Sequence, residues 1–169
     1  MMASTRRRLR LPAVAAAIAL AALPAPALAQ RPDAELKGIT TLGVTVDPLG
    51  AAATTCGFNR DAIVKRLAQL LTAAGFTVVP HGSEATYLDV SIDTLHVQPG
   101  VCVSRFDTTL YTNTTAQLSY QAQRVTARVS LLHAAGLSGG GASGHAAAVL
   151  GDIQDQVEQF ASRIRAAGR

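Results

Sequence analysis

After its first thirty residues, the chain alternates or repeats its hydrophobic positions almost to its end. Leu42, Val44 and Val46 alternate with Gly43 and Thr45, the pattern of a half-buried strand, which Asp47-Pro48 stops. Residues 49–58, rich in Ala, Thr and Gly, read as a loop. Asn59 is the expected N-cap of a helix over 60–74, with Ile63, Leu67, Leu70, Leu71 and Ala74 as its apolar stripe and Gly75 as its stop. A short strand at 77–79 ends at Pro80. From 85 to 97 Leu88, Val90 and Ile92 point one way, while Tyr87, Asp89, Ser91 and Asp93 point the other. Gln98-Pro99-Gly100 is a turn into a strand over 101–112 that could continue to 118. A connection at 121–124 leads to Val125, Ala127, Val129 and Leu131, which alternate with Thr126, Arg128 and Ser130. By the same phase His96 and His133 continue the apolar sides of their strands. A Gly-rich stretch, 136–144, reads as a flexible loop before a last helix over 146–166, striped by Val149, Ile153, Val157, Phe160 and Ile164.

Strand, helix, three or four strands, helix predicts an α+β fold. The expected architecture is a two-layer sandwich: a mixed, mostly antiparallel sheet of four to five strands with two helices on one face. A right-handed crossover through the first helix makes the first two strands parallel, and the later strands follow as an antiparallel meander. The other sheet face is expected to stay polar.

The first thirty residues change the picture of where this domain works. Arg6, Arg7, Arg8 and Arg10 precede an apolar run from Leu11 to Leu23, and Pro24, Pro26 and Ala27-Leu28-Ala29 follow. Charged, apolar and small-residue segments in that order read as a signal peptide over 1–29, cleaved near Ala29. A run of about 13 residues is short of the ~20 that span a bilayer, so no membrane anchor is expected after cleavage. Thr5 to Leu9 also resembles a twin-arginine export signal, the alternative to an ordinary Sec signal. The reading is a periplasmic or secreted protein, with a flexible polar lead-in at 30–38 and one α+β domain at 39–169. Charge follows suit. Of 15 Lys+Arg against 11 Asp+Glu, four arginines belong to the signal, which leaves 11 of each sign. A neutral domain gives no argument for nucleic acid as a partner.

Cys56 and Cys102 are the two cysteines, both beyond the signal. An even count in an oxidising compartment favours a disulfide between them, with two buried thiols as the competing reading. The expected topology conflicts with that bond. The loop holding Cys56 follows the first strand, whereas a simple meander starts the strand of Cys102 at the opposite end of the sheet.

Three stretches carry a resemblance: residues 70–79 (LLTAAGFTVV), residues 87–93 (YLDVSID) followed by Cys102-Val103-Ser104, and the closing Ile153, Val157 and Phe160. Together they resemble an uncharacterised family of small exported bacterial α+β proteins, and the layout is distantly similar to the N-terminal domain of TolB. The resemblance covers nearly the whole domain and implies an envelope location and a protein-contact role. It transfers no functional residue.

No catalytic constellation emerges. His81, His96, His133 and His145 show no metal-ligand spacing, so neither metal nor other cofactor is expected. Gly144 is followed by His145-Ala146 rather than the Lys-Ser/Thr of a phosphate loop, and Ser143 lacks the G-x-S-x-G context of a nucleophile elbow. Asp89 and Asp93 share one strand face, on which Arg105, Asp107, Arg124 and Arg128 are candidates to join them. That face reads either as a ligand groove built on Asp89, Asp93 and Arg128 or as a solvated surface with cross-strand ion pairs. The leading expectation is a non-enzymatic binding or accessory module of the cell envelope. A small-ligand binder and a hydrolase with an unrecognised site are the alternatives, and a free sheet edge leaves a homodimer open.

Overall fold

Five strands form one open sheet in the order β2-β1-β3-β4-β5 in the computed structural model, which describes residues 33–80, 82 and 85–169. The expected export signal at 1–29 and His81 lie outside the described residues. The strands are β1 (Thr41–Val46), β2 (Thr77–Pro80), β3 (Thr86–Gln98), β4 (Val101–Ala116) and β5 (Val125–Gly141). The helices are α1 (Ala51–Thr55), α2 (Arg60–Ala73) and α3 (Ala142–Ala167). The fold is α+β, as the pattern predicts.

β1 and β2 are parallel across the α2 crossover, and β3, β4 and β5 form the antiparallel meander. One pairing departs from expectation: β3 runs parallel to β1, Val44 opposite Leu88 and Val46 opposite Val90. β3 therefore continues eight residues beyond the end of β1, and β4 starts at the same end of the sheet that β1 runs into. That orientation removes the conflict over the cysteines. Cys56 and Cys102 are joined, with their Cα atoms 6.2 Å apart. The segment at 49–58 is also not wholly a loop. It holds α1, whose Ala53 is buried and which packs on β3.

The helix ends show why the chain turns where it does. Asn59 caps α2, its side-chain oxygen accepting from the Ala62 N–H at 2.9 Å. Gly75, at φ 95°, takes the left-handed conformation that lets its own N–H reach the Thr72 carbonyl and the Phe76 N–H reach Leu71. α1 closes in the same way, with Gly57 and Phe58 donating to Thr54 and Ala53. Phe58 and Phe76 are both buried, so each stop also seats an aromatic ring in the core.

Alternate strand positions supply one hydrophobic cluster. Leu42, Val44 and Val46 of β1, Leu88, Val90 and Ile92 of β3, and Phe106 and Leu110 of β4 join Ile63, Leu67 and Leu71 of α2 and Val149, Ile153 and Val157 of α3. The two long helices also pack on each other. Of the expected stripes, Ile63, Leu67 and Leu71 of α2 and Val149, Ile153, Val157, Phe160 and Ile164 of α3 are buried, while Leu70 and Ala74 are only partly so.

Two further expectations are corrected. Residues 136–141 are not a loop: they are the last six residues of β5, paired with Val101–Phe106 of β4. Glycine suits the strand there because the Phe106 ring lies over Gly136, where a Cβ would come within 2.1 Å of Cζ. In addition, a β-bulge shifts the β4–β5 register between Leu110 and Tyr111, with Leu132 opposite Leu110 but Ser130 opposite Tyr111. The extra residue, Leu131, reverses the phase of everything after it. His133 therefore lies with Thr109 and Asp107, not on the apolar side.

Part of the expected lead-in is built into the fold. Ala34–Leu36 form a 3-10 turn, and Leu36 is fully buried. The Arg163 guanidinium donates to both carboxylate oxygens of Asp33, from Nε at 3.0 Å and from Nη2. That hydrogen bonding, helped by the charge of Arg163 and opposed by burial, holds the Asp33 carboxyl below its ordinary value. A carboxyl depressed in the folded state contributes stability above its unfolded pKa and loses it as pH falls through the folded one. Asp33→Asn should therefore flatten the fall of stability below about pH 4. Urea unfolding from pH 5 down to pH 2.5 reads it; equal slopes for both proteins would remove the claim.

Candidate functional site

The strand positions that alternate away from the hydrophobic cluster make a second face, and the residues singled out from sequence divide on it into two groups. The first sits near the β1 side. Tyr87 and Tyr111 are register partners with ring centroids 5.8 Å apart. The Arg128 guanidinium lies over the Tyr111 ring, 4.3 Å from its centroid, and Nη1 donates to the Tyr87 hydroxyl at a long 3.4 Å. Asp89 is two residues along β3, half-buried, opposite Thr109. The Tyr87 hydroxyl first, then nearby negative charge including Asp89, raises the Arg128 pKa above its ordinary value. Asp89 and Arg128 share this face, as the alternation suggests, and Arg128 is held there by two tyrosines that periodicity alone does not single out.

Asp93 belongs to the second group. Four residues of strand put it about 13 Å from Asp89, too far for the two carboxylates to share a proton or a small ligand atom. It is exposed and lies opposite Arg105. Arg105 pairs with Asp107, Nε to Oδ2 at 3.1 Å, and the other Asp107 oxygen is 3.1 Å from His133 Nε2. Arg124, a candidate for the same face, lies instead in the connection before β5 and is exposed. Exposed pairs of this kind hold side chains in register more than they stabilise the fold.

Beyond the charged row the face turns apolar. Leu95 and Leu137 are 68% and 75% exposed, and Val97 is 56% exposed. Strand alternation identifies Leu95 as facing away from Leu88 and Ile92, but only the sheet order puts Leu137 on the same face, across β4 and one row away.

A different set of polar groups is hidden in the core, and sequence reasoning does not find it. Ser104 Oγ is 2.7 Å from His145 Nε2 and 2.8 Å from Thr94 Oγ1, and all three side chains come from separate elements. Phe58 meets the His145 ring edge-on at 5.8 Å. Serine beside histidine suggests a nucleophile and its base, but Ser104 is fully buried and His145 is 2% exposed. His145 Nδ1 has no hydrogen-bond partner among the described residues, so no carboxylate orients the ring. The arrangement is a buried hydroxyl–imidazole network beside the disulfide at Cys102, out of reach of a substrate.

Among the described residues no three of His, Cys, Asp and Glu are grouped to hold a metal ion. Nor is any helix there long and apolar enough to cross a membrane. A groove of about 680 Å³ lies between α2 and α3, lined by Arg66, Leu70, Glu158 and Arg165 among others, and it gathers none of the residues above. No protein-family model matches the chain, and no curated protein matches its sequence at a significant level.

Proposed function

We propose that this protein is an exported, non-enzymatic binding or accessory module of the cell envelope, and that it meets a protein partner through the exposed face of its sheet. The observation that carries the reading is the composition of that face. A tilted tyrosine pair, Tyr87 buried and Tyr111 half-buried, and an arginine adjoin a row of mixed charge and three large exposed apolar side chains. Tyrosine and arginine beside exposed apolar area are what protein interfaces enrich, and strands hold them rigid before any partner arrives. The Cys56–Cys102 bridge suits an oxidising compartment such as the periplasm or the medium.

A small-ligand site at Asp89, Asp93 and Arg128 is the competing reading, and the shared sheet face of Asp89 and Arg128 favours it. Against it, Arg128 already engages Tyr87 and Tyr111, and Asp93 stands apart.

In-cell photo-cross-linking separates the two. A photoreactive residue in place of Ser91 or Asp93 should yield a defined protein adduct, and one in place of exposed Gln159 on α3 should not. A protein that cross-links from neither face position and releases a small molecule on unfolding would overturn the proposal.

A further inference from the structure

We infer that the outer edge of β5, over residues 132–141, takes up an extended, uncharged segment of another polypeptide as a sixth strand of the sheet. The edge is a different surface from the exposed face, and its contact is of a different kind, backbone to backbone.

The two edges of the sheet are built differently. β2, at one edge, is four residues long and ends in Pro80, so it offers little to pair with. β5, at the other, has 17 residues, and among the described residues no strand lies on its outer side. Its first part is guarded: Arg128 puts a charge there, and the bulge at Leu131 interrupts the ladder. Beyond the bulge both guards are gone. Residues 132–141 hold no proline, lysine, arginine, aspartate or glutamate, and they pair with β4 in unbroken register. Alternate residues of such a strand turn both backbone groups outward, so about five N–H and five C=O groups line this stretch of edge.

Charge and side chains set which strand fits. From 129 to 151 the sequence has no Asp, Glu, Lys or Arg, and neither does 94–104, the hairpin at the same end of the sheet. A charged strand would lose water there and find no counter-charge, a cost that an uncharged one avoids. On the exposed side Leu137, 75% exposed, offers it an apolar neighbour. On the helix side Gly136, Ser138 and Gly140 follow one another. Glycine weakens a strand, and an aromatic ring from a neighbouring strand restores what it lacks. Gly136 has that cover in the Phe106 ring of β4. Gly140 has none: a Cβ there would meet nothing within 4 Å, which leaves room for a large side chain from an added strand. A second β5 cannot supply one. Within its own 132–141 the large side chains not already buried are His133 and Leu137, and both lie on the exposed side, away from Gly140. The fitting partner is therefore an uncharged strand of another chain, with an aromatic side chain among its apolar ones.

Fluorescence anisotropy on the protein purified from cells expressing the full chain tests this. The probes are labelled ten-residue peptides that alternate Thr with Val, with Phe in place of each Val in turn. Saturable binding is expected, and replacing the threonines by Asp or by Lys should weaken it at least tenfold. Methylating the backbone amides along one side of the bound peptide should abolish binding, whereas methylating the alternate set should leave it, the signature of a strand paired on one edge. Phe at its best position should bind at least about fivefold tighter than Ala there, and Gly140→Val should remove that preference. Open space at Gly140 means that urea unfolding of the variant should show no loss of stability. No saturable binding up to ~1 mM, equal loss from both methylated sets, or a Phe preference that survives Gly140→Val overturns the inference. Protection of amides 132–141 from exchange that appears only at concentrations where the protein dimerises would make a second copy the occupant and overturn the choice of partner.

Discussion

Replacing both cysteines together, Cys56→Ala with Cys102→Ala, is expected to lower the free energy of unfolding by about 4 kcal/mol. The bridge closes a sequence separation of 46 residues, and chain-entropy loss in the unfolded state grows with the logarithm of that number. For a domain of this size the midpoint of thermal unfolding should fall by roughly 10–15 °C. The loss has a predictable place as well as a size. α1 is five residues long and has one buried side chain of its own, Ala53, so Cys56 is its main tether to the end of β4. Amide exchange in the variant should therefore quicken first over residues 49–58, before the paired part of the sheet opens. Guanidinium unfolding of the two proteins gives the size, and a difference under about 1 kcal/mol would show that the native contacts, not the crosslink, hold this corner.

How much of this architecture could be read from residue order depends on whether the deciding contact is local. α2 was legible to within a residue because Asn59, Gly75 and the Ile63–Leu67–Leu71 stripe all act within one turn of the helix. The inward positions of β3 were legible because alternation is a property of a single strand. The direction of β3 against β1 was not, since the intervening residues contain nothing that fixes which edge of β1 it joins. The phase of β5 was lost at Leu131: a bulge is a property of two strands, and His133 on its own continues the apolar pattern. Residues 136–141 misled for a related reason. Four glycines favour a loop locally, and only the paired strand, with Phe106 over Gly136, makes their missing side chains useful.

The candidate site divides along the same line. Asp89 and Asp93 share a face by periodicity, and Arg128 joins Asp89 there, but the tyrosines that hold Arg128 come from two strands. Alternation puts Leu95 on the side away from Leu88 and Ile92, whereas Leu137 falls in a stretch that reads locally as a loop, so only the pairing of β5 with β4 puts the two on one face. Ser104 and His145 are 41 residues apart in strand and helix, so no motif could announce their contact.

The second large effect follows from one close approach. Glycine-to-alanine in a strand ordinarily stabilises slightly, because the unfolded chain loses freedom. At Gly136 the sign should reverse. An added Cβ falls 2.1 Å from Phe106 Cζ and 2.4 Å from Cε2, and Phe106 is 2% exposed, so its ring cannot swing into solvent. Either the ring leaves its rotamer or β4 and β5 separate, and Gly136→Ala should cost about 2 kcal/mol by overpacking. Phe106→Leu alone should also destabilise, by removing buried ring atoms. Combined, the two should cost less than their sum by roughly 1–2 kcal/mol, since the smaller side chain makes room for the new methyl. Urea unfolding of the four proteins closes this cycle. Additive losses would mean that the ring and the glycine are not in contact, and a stabilising Gly136→Ala would mean that residues 136–141 do not pair with β4 at all.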